Sequence, residues 1–349
     1  MQQPQPACKV TITCNNHVDP LIEADDTKFL EYPRPLMRNL VGEHGFSCHV
    51  KVGATSIIMD TGGVKKTFMN NINAVEPDYE TISWIVLSHG HHDHVGGLVT
   101  FMAMLKDKIG ELPGIACHPA ALAKRYSFDP GQKDQLSFPL DPADAPSLVK
   151  RGILKEHAGL VEATLERLHC RVEASPEPTI VHEDDVLGIS IKTTGEIPRI
   201  HENEFFPTNY IIEQDGKLIK DTFIDDQALI VEKKDAFAAL FLGCCHAGIE
   251  NTVARARTLV KVPIRIIAGG FHMTGATPDA IARKCKFLET LAADGADGGA
   301  GSNGGKTGPE RLVVRPTHCS GERFYLHLKM MGASSLDVDR LPAGARFLI

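Results

Sequence analysis

One short stretch limits what this chain can fold into. Ser88-His89-Gly90-His91-His92-Asp93-His94 follows directly on Ile82-Ser83-Trp84-Ile85-Val86-Leu87, an apolar, β-branched run that reads as a buried strand. A helical pattern begins after Val95-Gly96-Gly97. His89, His91, Asp93 and His94 therefore stand at the carboxyl edge of a buried strand. In extended chain alternate residues share a face, so His89, His91 and Asp93 converge, His92 points away, and His94 comes round as the helix starts. The spacing H-x-H-x-D-H supplies two ligands to one metal and two to a neighbour. Imidazole and carboxylate donors suit zinc, with iron or manganese as the other candidates.

Composition excludes several classes of function. The chain has 349 residues, 43% of them hydrophobic, and a formal net charge of −7. That balance provides a large core but no clustered Lys and Arg to face a phosphate backbone, which argues against nucleic acid as a partner. No apolar run is long enough to span a membrane. The segment Met1-Gln2-Gln3-Pro4-Gln5-Pro6 lacks the basic and apolar regions of a signal peptide. Nine cysteines, an odd number without framework spacing, read as reduced thiols of a cytoplasmic protein.

Along the chain, strands are expected at 8–14, 46–52 and 55–59, the last two forming a hairpin at Gly53-Ala54. Asp60, before Thr61-Gly62-Gly63, is either a support for a metal ligand or an ordinary turn carboxylate. Leu98, Phe101, Met102 and Leu105 have the spacing of an amphipathic helix. A short strand at 114–118 ends in His118, read as structural. Residues 119–180 read as a mostly helical insert, with a stripe at Leu154, Val161, Leu165 and Leu168. After a strand at 188–193 comes Gly195-Glu196-Ile197-Pro198-Arg199, in which Glu196 could act as an oxygen ligand, Arg199 as an anion clamp, or both as an exposed loop. His182 and His201 are read as surface residues.

Strands at 209–213 and 228–232 flank Asp225-Asp226-Gln227. A buried strand at 237–242 then delivers Gly243-Cys244-Cys245-His246-Ala247-Gly248, a second pairing of strand end and ligand-type residues. His246 is the favoured ligand there and Cys245 the alternative. The helix that begins after Gly248 offers backbone N–H groups to an anion. A strand at 264–268 leads to Gly269-Gly270-Phe271-His272, and Thr277-Pro278 opens a helix. Residues 294–308 read as a flexible Gly-rich loop. Gly305-Lys306-Thr307 is no phosphate loop, because the leading glycine position holds Ala300 and a helix precedes it. A last strand brings Pro316-Thr317-His318-Cys319, a helix follows from Gly321, and residues 345–349 close the sheet.

The segment Leu87 to Leu98 resembles the signature of the metallo-β-lactamase-fold superfamily. Gly243 to Asn251, Gly269 to His272, Pro316 to Cys319 and Gly195 to Arg199 together resemble its dihydropterin synthase-like branch, from about residue 8 to the C-terminus apart from the insert and the Gly-rich loop. The resemblance implies an α/β protein, an αβ/βα four-layer sandwich forming a single domain over 8–349. It implies two divalent ions, one on His89 and His91, the other on Asp93, His94 and His318, with His246 between or beside them. Many relatives carry a further histidine where this chain has Glu196, which leaves the first ion short of an obvious third ligand.

The expected activity is hydrolysis of a small anionic, phosphorylated substrate by a metal-bridged hydroxide that Asp93 orients. His272 lines the pocket as a supporting or proton-donating group, while Arg199 and Gly248 hold a phosphate or carboxylate. One alternative is a pterin-condensing synthase that releases pyrophosphate; another is a metal-retaining sensor without turnover. The oligomeric state is left open.

Overall fold

The strand Cys8–Cys14 is buried along almost its whole length, as a run alternating Val, Ile and Thr should be at the centre of a sheet. It pairs antiparallel with Ser47–Val52 on one side and with the C-terminal strand Arg346–Leu348 on the other. The expected closure of the sheet by the C-terminus is thus observed. The computed structural model describes residues 6–23, 26–157, 162–201, 209–297 and 308–349. Val161, most of the Gly-rich run and the first five residues lie outside the described residues.

Two sheets face each other. The 8-stranded sheet continues through Thr55–Met59, Ile82–Val86, Gly114–Cys117 and Val172–Ala174, all parallel. The 7-stranded sheet runs from Ile180–Asp184 through Ile189–Thr193, Ala228–Lys233, Phe237–Leu242, Ile264–Gly270 and Leu312–Thr317 to Leu336–Val338. Its last four strands are also parallel. Phe46, Val50, Phe237, Phe241, Ile266 and Phe347 fill the space between the sheets.

Helices cover both outer faces. Lys65–Val75 and Leu98–Ile109 pack Phe68, Ile72, Phe101 and Leu105 on the first sheet. Ile249–Leu259, Pro278–Asp297 and Glu322–Met330 pack Val253, Ile281, Leu288 and Phe324 on the second. This is the expected helix–sheet–sheet–helix order, whose parallel strands end along one edge, where ligands gather in α/β folds. Among the described residues no helix is long and apolar enough to cross a membrane.

The insert corrects an expectation. Residues 119–180 are not mostly helical: besides the helices Ala145–Lys150 and Glu162–Leu168, they contribute the strands Arg125–Phe128 and Leu154–His157. These pair with Tyr210–Gln214 and Lys217–Lys220 in a third sheet of four antiparallel strands. One face of this cap sheet is apolar and packs Tyr126, Phe128, Leu154, Ile211 and Leu218 against Leu148. Strands of four residues are too short to show a period of their own, and their partners lie far away in sequence. Residues 294–297, read as loop, complete the last turn of the helix Pro278–Asp297.

Candidate metal centre

The chain leaves strand Ile82–Val86 extended as far as His91 (φ −72°, ψ 148°), and turns helical over His92–Val95. That break at His92 divides the motif. His89 and His91 project inward from extended backbone, His92 is exposed, and Asp93 and His94 come from the first helical turn. Strict alternation would have grouped Asp93 with His89 and His91; the helical turn instead places it with His94.

Around His94 four ligand atoms converge. His94 Nε2 lies 3.2 Å from His318 Nε2 and 3.1 Å from Cys244 Sγ, and His318 Nε2 lies 3.0 Å from Asp93 Oδ2. Bonds of roughly 2.0–2.3 Å to a tetrahedral ion separate neighbouring ligand atoms by about 3.3–3.8 Å, so the donor set needs little adjustment to close on a cation. Asp93, His94, Cys244 and His318 form one group whose ligand atoms all fall within 4.8 Å of one another.

A second group, His89, Cys244 and His246, meets the same criterion. The His91 ring lies 4.6 Å from that of His89 and 4.9 Å from that of His246. Nε2 of His89, Nε2 of His91 and both ring nitrogens of His246 are buried without a hydrogen-bond partner among the described residues. Buried imidazole nitrogens seldom stay unpaired, and a group of them facing one another is what a metal would satisfy. Burial lowers the pKa of all three, helped at His89 by His94 and His91 and at His246 by His272; at His91 the value falls to about 3. Neutral imidazole is the form that binds a cation. Cys244 belongs to both groups and so stands between the two candidate ion positions.

Comparison with known proteins bears on this geometry. The family model of the metallo-β-lactamase superfamily matches residues 50–187, which include the histidine motif. Among solved structures, Tm1679, described as a metal-dependent hydrolase of the β-lactamase superfamily, aligns with a TM-score of 0.63 and 19% identity over 98% of this chain and 99% of its own. The chain has the metallo-β-lactamase fold, and its residues 50–187 match the superfamily model. Two relatives come from Methanocaldococcus jannaschii. The uncharacterized protein MJ0448 is 26% identical over 84% of this chain and 90% of its own. A 7,8-dihydropterin-6-methyl-4-(β-D-ribofuranosyl)-aminobenzene-5′-phosphate synthase is 24% identical over 86% of this chain and 88% of its own.

In this metallo-β-lactamase fold the ligand-type histidines are held by a buried network centred on Asp60. Its Oδ1 accepts from Ser88 N–H, and its Oδ2 from Ser88 Oγ and His94 Nδ1, each at 2.7 Å. Ser88 Oγ also lies 2.9 Å from His89 Nδ1. Asp60 is thus hydrogen-bonded into the histidine cluster and not a bare turn carboxylate. Burial alone would lower the pKa of His94, but Asp93 and Asp60 outweigh it and raise the value to about 10. Burial would likewise raise Asp93, yet His94 and His318 hold it well below the usual carboxylate range.

The remaining sequence candidates fall in different places. The His246 ring lies 4.9 Å from the rings of both His89 and His91. Glu196 is half exposed and lies 3.3 Å from His118 Nε2, whose Nδ1 caps the short helix after it. Arg199 spends its guanidinium on the carbonyls of His246, Thr222 and Phe223, tying loops together instead of facing a ligand. Just before Gly248, the N-cap of the helix, the Ala247 N–H donates to Asp226 Oδ2. Burial pushes Asp226 up to about 6. The His272 ring lies 4.4 Å from that of His246 and keeps partial access to solvent. Cys245 turns away toward Thr252.

Two contributors were not singled out from the sequence. Cys244 is one; the only hint was its place in a strand-end motif beside His246. His44 is the other. It stacks on His318 at 4.6 Å and approaches Asp93 to 3.6 Å from a loop with no motif of its own.

Proposed function

We propose that the chain is a metal-dependent hydrolase of small anionic substrates. The observation that carries this reading is the pair of ligand-type groups joined at Cys244, with imidazole nitrogens that no other described residue satisfies. His89, His91, His246 and Cys244 would hold one divalent ion, and Asp93, His94, His318 and Cys244 the other. A donor set of imidazoles, one thiolate and one carboxylate favours zinc over harder cations. When bound, the two ions would supply the Lewis acidity that makes a water nucleophilic at neutral pH and polarises an acyl or phosphoryl group.

The chain's own groups do the rest. Asp93, kept ionised, accepts a proton from the attacking water and fixes its direction. Asp60 and Ser88 hold His89 and His94 with Nδ1 protonated, so that each Nε2 stays available as a donor of electrons. His272, beside His246 and partly open to solvent, relays a proton from water to the leaving oxygen. The nine cysteines are all free thiols, which fits the cytoplasmic location that is part of this proposal.

Elemental analysis beside a panel of phosphodiester, phosphomonoester, lactone and thioester substrates tests the proposal. It predicts about two ions per chain and turnover on at least one class. Protein purified without chelator that carries no metal would overturn it. The similarity to the archaeal synthase over most of both chains supports a second reading. Release of pyrophosphate while two substrates are joined, with no hydrolysis, would decide for that one.

A further inference from the structure

The cap sheet has two unlike faces. The register sets Arg125 opposite His157, Ser127 opposite Lys155, and Tyr210 opposite Ser127. Alternation in a strand then puts Arg125, Ser127, Lys155, His157 and Tyr210 on one face, and Tyr126, Phe128, Leu154 and Ile211 on the other. The second set is the cap's apolar core. That first face is polar apart from Ile212, which lies opposite Arg125, and it is turned toward the candidate metal centre, since Tyr210 stacks on His91 at 4.9 Å and His157 stacks on Tyr210 at 5.5 Å.

A cleft of about 270 Å³ opens between this face and the histidine motif, bounded by His91, Asp93, Arg125, Lys155, His157 and Tyr210. Arg125 is only 1% exposed, yet its side chain is incompletely used: Nε donates to Asp221 and Nη2 to Asp225, while Nη1 is buried without a partner among the described residues. Lys155 is exposed and makes no hydrogen bond or ion pair among the described residues. His157 Nε2 is held by Ser127 Oγ at 2.8 Å. Lys155 brings an unpaired positive charge to the cleft, whereas that of Arg125 is met by Asp221 and Asp225, and only its Nη1 donor stays open among the described residues. Aliphatic or neutral polar ligands would leave both unsatisfied; an oxyanion with several acceptor atoms would satisfy both.

We propose that this face of the cap sheet is an oxyanion site that holds a phosphate group of the substrate, distal to the bond that is broken, through Lys155, His157 and Arg125, with Ser127 and Tyr210 as further donors. It rests on the hydrolase reading only in calling the bound molecule a substrate. The site does not coincide with the helix end at Gly248 or with Arg199, whose guanidinium is already engaged by backbone carbonyls. Because Asp225 accepts both Arg125 Nη2 and the Gly90 N–H, the phosphate is held on a strand fixed directly to the metal-binding loop. Gly90 has to be glycine there, since a Cβ would come 2.3 Å from Arg125 Nη1.

The test is calorimetric titration of the metal-loaded protein with glycerol 1-phosphate, using wild type, Lys155→Met, Lys155→Arg and His318→Ala. Lys155 is exposed at a sheet surface, so its variants should fold, and metal content is measured on each. The expected result is a loss of about tenfold or more in affinity for Lys155→Met and about twofold or less for Lys155→Arg, at unchanged metal content. Wild-type affinity in Lys155→Met, with binding lost only in His318→Ala, would overturn the proposal, because the ions alone would then hold the phosphate. The turnover panel reads separately. Lys155-dependent affinity without any turnover leaves the cap site standing and removes the hydrolase, whereas turnover with affinity indifferent to Lys155 does the reverse.

Discussion

Replacing Asp60 by asparagine tests how the ligand histidines are held. The carboxylate accepts three hydrogen bonds of 2.7 Å, one at Oδ1 and two at Oδ2. Because His94 Nδ1 and Ser88 Oγ both donate to Oδ2, Ser88 Oγ is left to accept from His89 Nδ1. One buried carboxylate therefore assigns the proton to Nδ1 of both rings and leaves both Nε2 atoms to a metal. In Asp60→Asn the oxygen can stay with the Ser88 N–H only if the amide N–H₂ faces Oγ and His94. His94 Nδ1 then has to accept, which moves its proton to Nε2. Ser88 Oγ also has to accept, which turns its own hydrogen to His89 and moves that proton to Nε2 as well. Both ligand groups are disabled at once.

Losing such a support costs about 10- to 100-fold in metal affinity, which is about 1.4–2.7 kcal/mol per site. The flipped amide would instead oppose two N–H donors in a buried place, at about 1–3 kcal/mol of stability. Competition for zinc with a chromophoric chelator measures the first cost, and chemical unfolding of the metal-free protein the second. Ser88→Ala cuts only the branch to His89, so it should weaken one ion and spare the other. Two wild-type binding constants in Asp60→Asn would refute the reasoning.

Two further outcomes follow from the same structure. Cys244→Ala should reduce the content of both ions, while Cys245→Ala, whose thiol faces Thr252, should keep about two per chain by elemental analysis; the opposite pattern would exchange their roles. His49, far in sequence from the motif, is lowered to about 4 by burial, with Lys51 and Arg346 adding to the effect. The unfolded chain therefore takes up this proton first, so stability is full above about pH 6.5 and falls toward pH 4, by about 3 kcal/mol for this group. Urea unfolding of wild type and His49→Leu between pH 7.5 and 4.5 should show a shallower decline in the variant, and parallel declines would count against it.

Much of the scaffold was legible because its signals are local. The run before His89, the hairpin at Gly53-Ala54 and the Thr277-Pro278 helix start each carry their information within a few residues. The helix Lys65–Val75 does not. It has no side-chain cap, and it is pinned by Asn71, which donates to the carbonyls of Thr13 and Val41 and accepts from the Val41 N–H. Those partners lie 58 and 30 residues away in the chain. The cap sheet was missed for the same reason: an insert strand ending at Phe128 pairs with one that starts at Tyr210.

The candidate site divides along the same line. His89, His91, Asp93 and His94 are neighbours in sequence, so spacing alone announces them. Cys244 and Cys245 cannot be told apart by spacing, because both follow a strand and precede a helix. What separates them is backbone conformation: Cys245 sits at φ +59°, and that single left-handed residue rotates its thiol toward Thr252 while Cys244 keeps the inward direction of the strand. The approach itself depends on Gly243, where a Cβ would come 2.1 Å from Ser88 Oγ. Any side chain there would push the end of strand Phe237–Leu242 away from Ser88, and with it the thiol from His94. The position that looks least chemical in the second motif thus sets the distance between the two halves of the candidate metal centre.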